Sequence, residues 1–296
     1  MISIGMSTSC NFPLRVEHSF RLASMAGYDG LEVMITNDPV SRDAGALRTL
    51  TERYGLPVLS IHAPSLFWTQ LVWGRDAQSK LERSAELAAE VGASAVVVHP
   101  PFRWEAGYAK GFERIVRQTA QNSGVEICVE NMFPWKVGRK NLLAYAPSSD
   151  PLDLDVDAMT LDFSHASLTG RDSLEYAMAM GDRLRHIHLC DGRRSVDEGN
   201  FHDEHLVPGR GTQPVAETLG WLVAQGFTGH VVAEVGLHRV RDPQVRLDAL
   251  IETAAFAKRH LGQEHETREP IEVDGKITGR TVRRARKAAR SSGATR

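Results

Sequence analysis

Seven side chains able to bind a metal or carry a proton recur at matching places along this chain: Glu32, His62, His99, Glu130, Asp162, His188 and Glu234. Each falls within or at the end of a short apolar, β-branched run: GLEVMI (30–35), VLSIH (58–62), AVVVH (95–99), EICVE (126–130), AMTLD (158–162), RHIHL (185–189) and HVVAE (230–234). A lone histidine at such a place is ordinarily a satisfied rim residue. Seven ionisable groups at equivalent places are costly to desolvate together unless a cation or hydrogen-bonded partners compensate them. Imidazole and carboxylate donors suit manganese, magnesium, cobalt, iron or zinc, and the lack of a clustered thiolate set argues against a structural zinc finger. Three loop residues extend the set. His165 follows Asp162 by one turn in LDFSHA, and Asp203 and His205 come from NFHDEHLVPGRG (200–211). In that loop Asp203 and His205 are expected to face the site, and His202 and Glu204 the solvent. Glu32, His18, His186 and His238 are expected to be structural.

What must position these groups is a repeating scaffold. With ISIGMS (2–7) there are eight strand-like runs, alternating with amphipathic stretches such as 75–92 and 106–121, and a last helix is expected over 243–261. The runs are continuously apolar, as in a parallel sheet covered on both faces. Gly27, Gly55, Gly92, Gly124, Gly181 and Gly226 stand where helices should end. Eight βα units in a chain of 296 residues predict an α/β protein, a (β/α)8 TIM barrel over residues 1–262. A doubly wound open sheet is the competing fold, but no GxGxxG follows the first strand. In a barrel the C-terminal ends of all strands face one mouth, which would gather the seven groups on one rim.

Residues 263–296 read as an extension, basic from residue 275 and expected to be a disordered or flexible tail. From Gly275 to Arg296 there are eight basic residues and no acid, which leaves 27 basic against 37 acidic residues in 1–274, a formal −10. Such a body repels a nucleic-acid backbone, while the tail offers a possible nucleic-acid contact. Three scattered cysteines, no signal-like start and no long uncharged apolar run point to a cytoplasmic protein without a membrane segment. A homo-oligomer is compatible with all of this.

HAP (62–64), HPP (99–101), VEN (129–131), LDFSHASLTGRD (161–172), HIHLCD (186–191), DEHLVPGRG (203–211) and AEV (233–235) together resemble the xylose-isomerase-like TIM-barrel superfamily over roughly residues 1–261. The resemblance implies one of two chemistries. In the sugar phosphate isomerase/epimerase branch, Glu130, Asp162, His188 and Glu234 would hold one divalent ion (Mn, Mg, Co or Zn). Glu130 and Glu234 would move the proton of a sugar or sugar phosphate through an ene-diolate, and His165, Arg210 and Trp68 would contact substrate, with Trp73 as a second lid candidate. In the endonuclease IV branch, His62, His99, Glu130, Asp162, His165, His188, Asp203, His205 and Glu234 would hold three zinc ions for phosphodiester cleavage at abasic DNA. A third possibility is a barrel kept as a binding protein that acts through the basic tail. The intact ligand set and the acidic body favour the isomerase/epimerase expectation.

Overall fold

The alternation of apolar and amphipathic stretches resolves into eight parallel strands. They are β1 (Ser3–Ser7), β2 (Gly30–Met34), β3 (Val58–His62), β4 (Ala95–Val98), β5 (Glu126–Glu130), β6 (Ala158–Asp162), β7 (Leu184–Leu189) and β8 (His230–Ala233). The computed structural model describes residues 2–64, 69, 71–137, 140–142, 144–193, 195 and 202–263. Each strand pairs with its neighbours in chain order, and β1 closes on β8 through Ser3↔His230 and Gly5↔Val232, so the sheet is a closed barrel. Closure excludes the doubly wound alternative. Every residue of β2, β3 and β6 is buried, because each strand has the barrel lumen on one face and helices on the other.

The outer ring comprises α1 (Val16–Ala26), α2 (Ala44–Tyr54), α3 (Ala77–Val91), α4 (Ala106–Ser123), α5 (Phe163–Leu168), α6 (Ser173–Met180), α7 (Val215–Ala224) and α8 (Pro243–His260). Aspartates open many of them: Asp43, Asp76, Asp172 and Asp242 each accept a backbone N–H of the first turn. The helices α1 to α4 each end on a glycine with left-handed backbone, as their sequences predict. One unit departs from the expected alternation. Among the described residues, the connection from β5 to β6 carries no α-helix. It holds a short antiparallel pair, Trp135–Val137 with Lys140–Leu142, and a single 3-10 turn, Pro151–Asp153. Pro134, Pro147 and Pro151 lie in that connection and remove backbone donors that a helix would need. Apolar packing fixes this segment instead: the Phe102 ring lies 5.2 Å from Tyr145 and 5.3 Å from Trp135.

Trp68 lies outside the described residues, as do Asn200, Phe201 and the whole of 264–296 with its basic stretch. Trp73 is half-buried and packs against the core.

Candidate metal centre

Register brings the first donors together. Asp162 and His188 are paired neighbours at the ends of β6 and β7, Glu130 is the last residue of β5, and Glu234 directly follows β8. One donor atom from each of these four lies within 4.8 Å of every other. His188 Nδ1 stands 2.8 Å from Glu234 Oε2, 3.1 Å from Glu130 Oε1 and 3.7 Å from Asp162 Oδ2. All four side chains are buried, with Glu234 the most accessible at 8%.

The cluster reads as donors gathered around a cation. Glu130 Oε2 is buried 3.0 Å from His99 Nε2 and 3.4 Å from His62 Nε2, yet has hydrogen-bond geometry to neither. Buried polar atoms are nearly always paired, so an unpaired carboxylate oxygen among imidazoles calls for a positive charge between them. The imidazoles are also pre-set. His62 Nδ1 is 3.1 Å from the Ala63 carbonyl, and His165 Nδ1 is 2.9 Å from the Asn131 carbonyl. A ring N–H donated to a carbonyl turns the second nitrogen toward the centre as a lone pair, the usual arrangement of a metal-ligating histidine. The residues present therefore fit a divalent ion.

A second group of donors arrives on the loop after β7. Asp162 caps α5 by accepting the His165 N–H at 2.8 Å, which sets His165 beside it. His165 Nε2 is 3.0 Å from Asp203 Oδ2, and the Ser164 hydroxyl donates to Asp203 Oδ1 at 2.6 Å. His205 Nε2 sits 3.4 Å from Asp162 Oδ2 and 3.3 Å from Asp203 Oδ2, without hydrogen-bond geometry to either. His205 has φ of +41°, a conformation a non-glycine residue holds only when its surroundings require it. What holds the loop is Asp191, whose buried carboxylate accepts the backbone N–H groups of Gly192, Gly209, Gly211 and Gln213. A Cβ at Gly211 would lie 2.1 Å from Asp191 Oδ1, so only glycine allows that approach.

The nine residues expected from the sequence thus form one connected cluster: His62, His99, Glu130, Asp162, His165, His188, Asp203, His205 and Glu234. Other expectations need correction. Arg210 does not face the site; its guanidinium is committed to Glu252 of α8, with Nη2 2.6 Å from Oε2. Glu204 is half-buried rather than solvated, because its carboxylate accepts the Arg193 N–H at 2.9 Å, whereas His202 is exposed as expected. Glu32 and His186, expected to be merely structural, lie next to His188. Four contributors went unnoticed in the sequence. Asn131 ties β5 to β6 by accepting the Asp162 N–H at 2.7 Å and donating to the Asp162 carbonyl at 3.1 Å. Ser164 and Asp191 fix the loop, and Phe133 places its ring 4.9 Å from His165 as an apolar wall. Only Asn131 and Asp191 carried a signal, being polar residues one and two positions after an apolar strand run.

Charge in the cluster is strongly coupled. Burial pushes Glu130 up, but His188 and His99 outweigh it and hold the carboxylate well below its usual range. Glu234 falls to about 2, burial being overcome by His188 and His205. Conversely, burial would lower His188, His165 and His205, but the surrounding carboxylates raise all three, His205 to about 9. Protons on these imidazoles occupy the charge that a cation would supply.

The model of the xylose isomerase-like TIM barrel family matches residues 20–260. The chain belongs to that family. It is 45% identical over 279 residues to an uncharacterized protein of Mycobacterium tuberculosis (strain ATCC 25618 / H37Rv), covering 88% of this chain and 98% of the relative. It is 22% identical over 269 residues to fructoselysine 3-epimerase of Escherichia coli O157:H7, covering 81% and 93%. Among solved structures, the IOLI protein with a bound zinc atom superposes with a TM-score of 0.63 at 16% identity, over 90% of this chain and all of the other. At that identity the likeness speaks for the fold. No helix among the described residues is long and apolar enough to cross a membrane.

Proposed function

We propose that this family member is a divalent-metal-dependent sugar or sugar-phosphate isomerase/epimerase that moves a proton α to a carbonyl at the barrel mouth. One observation carries the reading: two carboxylates, Glu130 and Glu234, meet an aspartate and a histidine within 4.8 Å, at the ends of four consecutive barrel strands. The fructoselysine 3-epimerase relative and the zinc-bearing structural neighbour point the same way.

Glu130, Asp162, His188 and Glu234 would hold the ion, with His62, His99, His165, Asp203 and His205 around it. A bound divalent ion would polarise the substrate carbonyl and its neighbouring hydroxyl, lowering the cost of removing the α-proton. Glu130 and Glu234 belong to strands separated by β6 and β7, so they can address opposite faces of one carbon. One carboxylate takes the proton, the C–H electron pair becomes the double bond of an ene-diolate, and the other carboxylate returns a proton to the opposite face. That sequence inverts the carbon; return to the neighbouring carbon isomerises the sugar. The Glu130 oxygens are differently placed for this, Oε1 beside His188 and His165, Oε2 beside His62 and His99. The imidazoles around Oε2 can orient substrate hydroxyls, and Phe133 excludes water from one side. Elemental analysis of the purified protein, with a panel of ketoses and ketose phosphates, tests the reading. About one manganese, magnesium, cobalt or zinc ion per chain and epimerisation lost on chelation are expected. Full activity in metal-free protein would overturn it.

A second reading rests on a separate observation. Asp162, His165 and His205 form their own group within 4.8 Å, as do His62, Glu130 and His188. Three zinc ions on these nine residues would suit phosphodiester cleavage at abasic DNA. The formal −10 of residues 1–274 and the commitment of Arg210 to Glu252 disfavour a DNA-binding face. About three zinc ions per chain with nicking of abasic DNA would reverse the order.

A further inference from the structure

Glu32 is the one acidic residue in β2, a strand otherwise made of Gly30, Leu31, Val33 and Met34, and it is wholly buried. A carboxylate placed in a barrel lumen is costly unless several partners compensate it. Its partners come from two other strands. The Ser60 hydroxyl of β3 donates to Oε2 at 2.9 Å, and β2 pairs with β3 in a register that sets Glu32 opposite Ser60. From β7, which is not a neighbour of β2 in the barrel, His186 Nε2 lies 2.9 Å from Oε2 and His188 Nε2 lies 3.2 Å from Oε1. Glu32 thus reaches across the lumen to the histidine whose other nitrogen, Nδ1, faces Glu130, Asp162 and Glu234.

We infer that Glu32 is a positioning residue for the metal centre: it accepts the Nε2–H of His188 and so presents Nδ1 as the lone pair that meets the ion. The inference rests on the metal reading of the centre and adds to it a residue outside the four-donor set of Glu130, Asp162, His188 and Glu234. The geometry assigns the role to Glu32. An imidazole can flip by 180° about its Cβ–Cγ bond, which puts a ring carbon where each nitrogen stood. A carboxylate held at 2.9 Å by the Ser60 hydroxyl, with His186 Nε2 equally near but without hydrogen-bond geometry, gives one ring orientation a charge-assisted partner that the other lacks. His62 stacks on His188 at 5.6 Å between ring centres with planes 13° apart, which limits tilting but not the flip; Glu32 supplies the remaining constraint. Carboxylate–histidine–metal arrangements of this type raise ligand basicity, and their loss costs about 10–100-fold in metal affinity.

The test compares the full-length wild type with Glu32→Gln and Ser60→Ala after chelator stripping. Manganese and zinc affinity are read by competition with a chromophoric chelator, and side-chain ¹⁵N spectra read which nitrogen of His188 carries the proton. With zinc bound, the wild type should show a proton on Nε2 of His188 and none on Nδ1. Glu32→Gln should bind either ion about 10–100-fold more weakly and lose the single His188 signature. Ser60→Ala keeps the carboxylate but loosens it, and should weaken binding in the same direction by a smaller factor; it carries the test if Glu32→Gln fails to fold. Wild-type affinity with an unchanged His188 signature in folded Glu32→Gln would overturn the positioning role and leave the metal reading standing. A wild type that takes up neither ion would overturn the metal reading and this inference with it.

Discussion

The donors on the strands and the donors on the loop after β7 are held by different means. Glu130, Asp162 and His188 grow from paired backbone and are at most 1% exposed, so the sheet fixes them before any ligand arrives. Asp203 and His205 reach the same cluster from outside the barrel. Their side chains are 29% and 19% exposed, and their position depends on Ser164 and on the four backbone groups gathered by Asp191. The contrast teaches a division of labour. On the proposed reading, the sheet would supply a preorganised ion site at small entropic cost, while the loop would supply groups that adjust around a substrate.

If that division holds, the largest effect should follow from the strand carboxylates. Glu130→Gln or Glu234→Gln should lower kcat by about 10²–10⁴-fold with the fold retained, as steady-state kinetics and circular dichroism would check. Asp203→Ala and His205→Ala should act more mildly. Bound metal should persist at one ion per chain, while kcat/KM falls by about 10–100-fold, the usual range for groups that support a metal site. Loss of the ion from either loop variant would break the division, because loop and strand donors would then form one indivisible site.

A smaller effect concerns the stability of the metal-free protein. Glu234 is lowered from 4.5 to about 2 in the fold, so its contribution is full above pH 4.5 and disappears as the pH falls through about 2. His205 is raised from 6.5 to about 9, so its contribution is full below pH 6.5 and disappears as the pH rises through about 9. Thermal unfolding of stripped protein should therefore peak between about pH 4.5 and 6.5. Saturating metal should remove the alkaline decline, since the ion replaces the imidazole protons. The smallest effect belongs to Arg210→Ala. Its surface pair with Glu252 should leave activity unchanged and alter stability by about 0.5 kcal/mol or less.

The barrel and the strand donors could be read directly from the sequence because one periodicity encodes both. A polar residue that ends an apolar run in a parallel barrel has only one place to go, the mouth, so Glu130, Asp162 and His188 were located by pattern. The loop donors Asp203 and His205 were found by residue type and spacing, but not the device that holds them. Asp191 acts through backbone N–H groups of residues 192, 209, 211 and 213, and backbone donors leave no trace in side-chain identity. Arg210 was misread because its partner, Glu252, lies 42 residues away on α8, a proximity created by the closed ring of helices. The connection between β5 and β6, with no α-helix among its described residues, was hidden for a related reason: its prolines signal what the segment cannot be, not the antiparallel pair it carries. Glu32 was set aside as structural because one buried acid in a strand looks alike whether it balances a core or orients a ligand. Only its contact with His188 separates the two.

Solvent exchange tests the central claim most directly. Metal-loaded protein is incubated in D2O with ketoses and ketose phosphates, and deuterium at the carbon beside the carbonyl is followed by NMR. Proton transfer through an ene-diolate predicts deuterium at that carbon on at least one sugar, with inversion or isomerisation. The exchange should vanish after chelation and in Glu130→Gln. Turnover of a sugar without any solvent deuterium would contradict proton transfer by the two carboxylates. Full exchange in stripped protein would contradict the role of the metal.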